Sequence, residues 1–165
     1  MSIVLARIDN RLVHGQILAT WVPALDVDSI LVLDDELARN TLARSAMELA
    51  IPPDVQFEVS PVAQASAAFA RLSHHQRTII LLRDVADASR ALDAGLPLTR
   101  LNLGNVHIAD GRHLVSQAVF LSSDEIAVLE SIAGRGVAIE LQTLPRDKAM
   151  PLAEMKHKVE EGARA

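Results

Sequence analysis

The stretch Thr78-Ile79-Ile80-Leu81-Leu82-Arg83-Asp84-Val85-Ala86-Asp87-Ala88-Ser89-Arg90-Ala91-Leu92-Asp93-Ala94-Gly95-Leu96-Pro97 holds the plan of the fold. Residues 78–82 form an unbroken apolar run, the pattern of a central strand covered on both faces. Residues 85–94 read as a helix, with Gly95 as its C-cap and Pro97 just beyond to stop it. A buried strand feeding directly into a helix is one half of a βαβ unit.

The same alternation extends in both directions. Strands are expected at 2–8, 29–33, 55–59, 101–103, 118–121 and 137–141. Helices are expected at 15–24, stopping near Pro23; at 36–50, with Leu37, Leu42, Ala46 and Leu49 at helical spacing and Pro52-Pro53 ending it; and at 62–72. A further helix starts at Ser122 or Ser123 and runs to about 133, with Asp124 and Glu125 at its positive end. The last, 151–161, is charged and suits the surface. Strand and helix alternate at least five times, which predicts an α/β fold: an open, mostly parallel β-sheet with helices on both faces, a three-layer αβα arrangement, as a single domain over 1–165.

Composition narrows the chemistry. Half of the 165 residues are hydrophobic and only 2% are aromatic, so the core must be aliphatic. A net charge of −5 gives no basic face for nucleic acid. The absence of cysteine excludes disulfides, thiolate catalysis and Cys-ligated zinc. Met1–Leu5 is apolar, but Arg7 and Asp9 interrupt it too early for a signal core, and no run approaches the roughly 20 apolar residues of a membrane helix. A cytoplasmic protein is expected.

Ligands of open α/β sheets bind beyond the carboxyl ends of the strands. The loops to inspect are therefore Asp9–His14, Asp34-Asp35, Ser60-Pro61, Arg83-Asp84 and Gly104–Gly111. The first is the richest: Arg7-Ile8-Asp9-Asn10-Arg11-Leu12-Val13-His14-Gly15-Gln16 brings an imidazole, a guanidinium, a carboxylate and a carboxamide to the junction of a strand and a helix. His14 stands just before the helix, where free N–H groups stabilise an anion and favour the neutral, nucleophilic ring. Gly15 lets phosphate oxygens approach its backbone, Arg11 offers a forked grip on them, and Gln16 offers another donor. Asp9 orients Arg11 or the ring, and is grouped here with the phosphate-binding residues. Nucleophile, cation and helix terminus are the parts that phosphoryl transfer needs, without a metal or other cofactor. The same residues also fit a structural arrangement in which Asp9 and Arg11 pair and His14 caps the helix; composition and spacing leave both open.

That run closely resembles the active-site loop of the IIB components of the mannose/fructose/sorbose family of the bacterial sugar phosphotransferase system, whose pattern is approximately R-[IV]-D-[DN]-R-L-[IV]-H-G-Q. Trp21, the segment Val32-Leu33-Asp34-Asp35-Glu36-Leu37-Ala38 and the segment Leu103-Gly104-Asn105-Val106-His107 resemble it too, so the likeness runs from about Ser2 to Pro145. Asp34 departs from it, standing where Asn is common.

The resemblance implies a protein-Npi-phosphohistidine–sugar phosphotransferase component. His14 would accept a phosphoryl group on Nδ1 from the phosphohistidine of a IIA protein. It would pass that group to a sugar entering through the IIC and IID membrane components, with the protein peripheral to that transporter. It implies dimers in some members, and the chain reads as a standalone IIB. The alternative is a regulatory phosphocarrier not coupled directly to transport. A nucleotide- or cofactor-binding domain is disfavoured, because neither G-x-G-x-x-G nor a P-loop follows the first strand.

Other residues carry paired readings. Arg83 is a second phosphate ligand or pairs with Asp84. Ser60 is a helix N-cap ahead of Pro61 in preference to a phosphate donor. His107, Asp110 and His113 match no zinc spacing, and His107 is better placed as a rim residue. His74-His75 read as a solvated turn. Gly134-Arg135-Gly136 reads as a helix-to-strand turn. Trp21 with Ile17, Leu18 and Val22 packs the first helix on the sheet, or forms a docking surface for a IIA partner.

Overall fold

The computed structural model describes residues 2–72 and 76–165; the His74-His75 turn lies outside them. Six parallel strands follow the apolar runs: β1 Ser2–Asp9, β2 Ser29–Leu33, β3 Gln56–Ser60, β4 Arg77–Leu82, β5 Arg100–Asn105 and, beyond two short strands, β8 Ala138–Leu141. The sheet order is β3-β2-β4-β1-β5-β8-β9, with β9 (Met150–Pro151) antiparallel at the edge. The short strands β6 (His113–Ser116) and β7 (Val119–Leu121) form a separate antiparallel hairpin.

Helices lie on both faces, as the sequence predicts. One face packs Val62, Ala65, Ala68 and Phe69 from the turn Val62–Gln64 and α4 (Ala65–Arg71), Val85, Ala88 and Ala91 from α5 (Val85–Asp93), Leu129 from α6 (Ser123–Gly134) and Met155 from α7 (Leu152–Arg164). The other face packs Leu12, Ile17, Trp21 and Val22 together with Leu37. The two-residue period of β1 divides its side chains between them: Ala6 and Ile8 join the first core, Leu5 the second. Arg7 and Asp9 therefore point to the Leu5 side, beneath the first helical segment.

Besides the unexpected strands β6 and β9, two helices and one cap differ from expectation, each for a local reason. The helix expected over 36–50 is two, α2 (Asp35–Arg39) and α3 (Thr41–Glu48), because the Asn40 side chain accepts the Ala43 N–H at 3.0 Å and starts a new helix. The first helix opens as a π-helical turn, Ile17–Trp21, continuing into α1 (Val22–Ala24). Pro23 has no N–H to donate and crowds the preceding turn, while Val22 N–H reaches back to Ile17 C=O. Ser60 does not cap the helix after it: its hydroxyl is buried without a partner, and the carboxylate of Asp35 takes the Val62 N–H at 2.9 Å. At α6, Ser122 caps with Glu125 as a reciprocal box.

The strand order places β1 between β4 and β5, with β2 and β3 to one side and β8 to the other. The chain leaving β1 goes to one side of the sheet, and the β4–β5 crossover passes over it. The carboxyl end of β1 is thus the switch point at which such sheets open a crevice.

Candidate functional site

The loop after β1 is a tight turn wrapped around the side chain of Asp9. Leu12 N–H donates to Asp9 C=O at 2.9 Å, and Arg11 N–H donates to Asp9 Oδ1 at 3.1 Å. Leu12 takes a positive φ of 56°, a left-handed conformation costly for a branched side chain, and is held there because that side chain is buried in the second core. Leu12 and Val13 thus anchor the loop below while Arg11 and His14 rise to the surface.

Asp9 is the hub. It is fully buried, yet three cationic or polar side chains converge on its carboxylate. His14 Nε2 lies 2.9 Å from Oδ2; Arg11 Nε lies 3.2 Å from Oδ1 and its Nη2 3.4 Å from Oδ2; Arg7 Nε lies 3.5 Å from Oδ2. Burial alone would raise the Asp9 pKa. The hydrogen bonds from His14 and Arg11 outweigh it and hold the carboxyl below its ordinary range. An ionised carboxylate only accepts, so the His14 nitrogen facing it carries the proton. The Nε2–H tautomer leaves the lone pair of Nδ1 free.

The other predicted residues group around this hub. Arg11 is 44% exposed, and its Nη2 also reaches Gln16 Oε1 at 3.4 Å. The first helical hydrogen bond runs from Leu18 N–H to His14 C=O at 3.2 Å, so the amides of Gly15 and Gln16 precede it beside the imidazole. A Cβ on Gly15 would meet nothing within 4 Å, so the protein itself places no steric demand on that glycine. Asn10 donates to Nδ1 of His107 at 2.8 Å, placing His107 at the rim. His113 lies apart from it, against Gly162 of α7.

Arg83 stands differently. Expected among the phosphate ligands, or paired with Asp84, it is instead held two-fold by Asp34, with Nε to Oδ2 at 2.6 Å and Nη2 to Oδ1 at 3.0 Å. Asp84 is occupied as the cap of α5, accepting Asp87 N–H at 2.8 Å. Asp34 also caps α2 through Leu37 N–H at 2.7 Å. Burial pushes its pKa up, but Arg83 and that N–H pull it below the usual range. Arg83 and Arg11 line the same shallow pocket. Trp21, read above as packing or docking, is packing: it is buried, and so are Ile17 and Val22.

The sequence reading missed the layer behind Asp9. Arg7 has no exposed surface. Its Nη1 donates to Asn102 Oδ1 at 2.5 Å and to Gln142 C=O at 2.8 Å, its Nη2 to Thr143 C=O at 3.3 Å, and it lies 5.1 Å from the centre of the Trp21 ring. A Cβ on Gly104 would fall 1.8 Å from Arg7 Cζ, so only glycine leaves room for this guanidinium. The Arg7 and Gly104 of the quoted motifs were the available signal.

A family model described as PTS system sorbose subfamily IIB component matches residues 3–164. The chain is 29% identical over 160 residues to the PTS system fructose-specific EIIB component of Bacillus subtilis (strain 168), covering 96% of this chain and 98% of that one. It is 27% identical to the PTS system mannose-specific EIIAB component of Escherichia coli (strain K12) and spans 50% of that longer protein. The solved IIBSor domain of the sorbose permease from Klebsiella pneumoniae superposes with a TM-score of 0.85 at 25% identity, over 100% of both chains. On these grounds the chain belongs to the sorbose-subfamily IIB components of the phosphotransferase system.

Proposed function

We propose that His14 is the phosphoryl carrier and that Nδ1 is the atom that carries it. The observation behind this reading is the 2.9 Å contact between Nε2 and the buried, ionised Asp9. With Nε2 protonated, the Nδ1 lone pair attacks phosphorus of a phosphohistidine on a IIA partner. The new N–P bond forms as the donor's N–P bond breaks, and that electron pair returns to the donor ring. No proton leaves His14; its ring takes on positive charge while still donating to Asp9, whose negative charge offsets it. In the second transfer a sugar hydroxyl oxygen bonds to phosphorus as the P–N bond breaks; that electron pair returns to Nδ1, and the hydroxyl proton leaves to solvent.

Arg11 supplies the charge that moves with the phosphoryl group. Its exposed fork suits two phosphoryl oxygens, and the Gly15 and Gln16 amides supply further donors. Asp9 belongs behind the nucleophile as its orienter, because a buried carboxylate in contact with a phosphoryl dianion would repel it. Arg83, already neutralised by Asp34, is a neighbour of the pocket and not a primary ligand.

The partners of this reading are a IIA phosphocarrier, membrane IIC and IID components and a sugar, with the protein working from the cytoplasmic side. No helix among the described residues is long and apolar enough to cross a membrane. Relatives named for fructose, mannose, sorbose and N-acetylgalactosamine support an acceptor among hexoses and N-acetylhexosamines. The decisive experiment incubates the protein with the upstream phosphoryl chain and a IIA partner and measures intact mass. One added phosphoryl group, acid-labile and base-stable and lost in His14→Ala, is expected; a label persisting in His14→Ala rejects the assignment.

A further inference from the structure

Asp9 is approached by two guanidinium groups in opposite environments. Arg11 is 44% exposed and hangs from the surface turn. Arg7 is fully buried, pinned by Asn102, by the carbonyls of Gln142 and Thr143 and by the Trp21 ring, over a glycine that leaves it space. A phosphoryl group arriving at His14 needs a cation, and Arg11 is the one able to swing to it. If Arg11 were the sole cation beside Asp9, its departure toward an incoming phosphoryl group would leave the buried carboxylate with only the neutral His14 N–H until transfer, a costly arrangement. Arg7 Nε, which has no hydrogen-bond partner and lies 3.5 Å from Asp9 Oδ2, occupies the position of a second counterion that cannot leave.

We propose that Arg7 is a positioning residue: the resident counterion of Asp9, which keeps that carboxylate aimed at His14 Nε2 while Arg11 turns to the phosphoryl group. This inference rests on the phosphocarrier reading for its consequence but not for its geometry. Charge exchange across a buried pair is strong at low dielectric and little screened by salt, so a fixed inner cation serves where an exposed one would not. The cost of enclosing it falls on Arg7 itself, whose pKa burial pulls down to about 10, with Asp9 partly restoring it.

The test uses Arg7→Met, Arg7→Lys and Asn102→Ala in the full chain, with folding checked by circular dichroism. Two quantities are read: the midpoint of the Asp9 carboxyl by 13C NMR, and the rate of His14 phosphorylation by phosphoramidate, a small donor that needs no partner protein. The charged or titratable groups facing Asp9 are Arg7 from its own strand and Arg11 and the neutral His14 from the loop; β5 contributes the uncharged Asn102 and Gly104 behind Arg7. Arg7→Met should raise the Asp9 midpoint by about one pH unit or more. It should also slow phosphorylation at pH 7 on the order of tenfold, because Arg11 is then held by Asp9. Arg7→Lys should restore part of both, and Asn102→Ala should move both in the same direction by less. A folded Arg7→Met with midpoint and rate unchanged overturns the proposal. If Arg7→Met does not fold, unchanged values in Asn102→Ala overturn it instead. Wild-type protein left unlabelled at His14 would sink the phosphocarrier reading, while the Asp9 midpoint would still decide the part played by Arg7.

Discussion

Gly104→Ala puts the buried layer to a direct test. The added Cβ would sit 1.8 Å from Arg7 Cζ, 1.9 Å from Nη2 and 2.2 Å from Nε. An ordinary carbon contact is about 3.5 Å, so the guanidinium must move by roughly 1.7 Å. That displacement breaks the 2.5 Å bond to Asn102 and the 2.8 Å bond to Gln142, and pulls Arg7 from the Asp9 oxygen 3.5 Å away. Retreat of the strand is no easier, because β5 is paired to β1 on one side and β8 on the other. Losing the partners of a buried charge costs about 3–5 kcal/mol. For a chain of this size each kcal/mol lowers Tm by about 2–4 °C, so a fall of roughly 6–20 °C is expected. Thermal unfolding by circular dichroism measures it. Gly134→Ala, where a Cβ meets nothing within 4 Å, should leave Tm nearly unchanged. A Gly104→Ala protein within about 1 kcal/mol of wild type would refute the view that Arg7 is tightly clamped, since loss of a well-made buried pair costs more than that.

Other substitutions probe the site from different sides. Gly15→Ala meets open space, so its thermal stability should match wild type, while His14 labelling should slow because a methyl group stands where the phosphoryl group and partner approach; equal labelling rates would remove Gly15 from the cradle. Leu12→Gly should be more stable in urea than Leu12→Ala by about 1 kcal/mol, since both lose the buried side chain but only glycine escapes the cost of φ 56°; the reverse order would show that the turn relaxes. Asp34→Asn should cost about 1–2 kcal/mol at pH 7, through the lost pair with Arg83. The Asp34 pKa is depressed in the folded state, so its stabilisation is present above its unfolded value of about 3.9 and fades as pH falls through the folded one. The gap between variant and wild type should therefore close below about pH 4, and a gap independent of pH would refute the ionic origin.

The alternation of strand and helix was readable because the central parallel strands are apolar on both faces over most of their length, as residues 79–82 and 30–33 illustrate. The site turn was readable because Asp9, Arg11, His14 and Gln16 lie within one turn of chain, so proximity in sequence guarantees proximity in space. The layer behind it was not, since Asn102 and Thr143 reach Arg7 from 95 and 136 positions away. The pairing of Arg83 was not legible for the same reason: its partner Asp34 is 49 positions distant, while the adjacent Asp84, the expected partner, is engaged as a cap. The break at Asn40 lay hidden under continuous helical spacing, although two of the residues that made that spacing, Leu42 and Leu49, are 81% and 90% exposed. Of the hairpin, β7 falls on the expected run 118–121, whereas β6 carries no clean alternation and packs against α7.

These features divide rigidity from motion at the site. The backbone of the turn is fixed by Leu12 in a strained conformation that burial holds in place, and by hydrogen bonds to both the carbonyl and the carboxylate of Asp9. The imidazole is fixed through the same carboxylate. What stays free is the Arg11 fork, whose contacts of 3.2–3.4 Å are long for charged hydrogen bonds and open to solvent. A carrier must hold its cargo long enough to deliver it and loosely enough to release it. On the proposed assignment of His14 as the carrier, a fixed nucleophile with one exposed cation meets both demands. Its geometry needs no rebuilding between the two transfers, and the charge that steadies the phosphoryl group can follow it as it leaves.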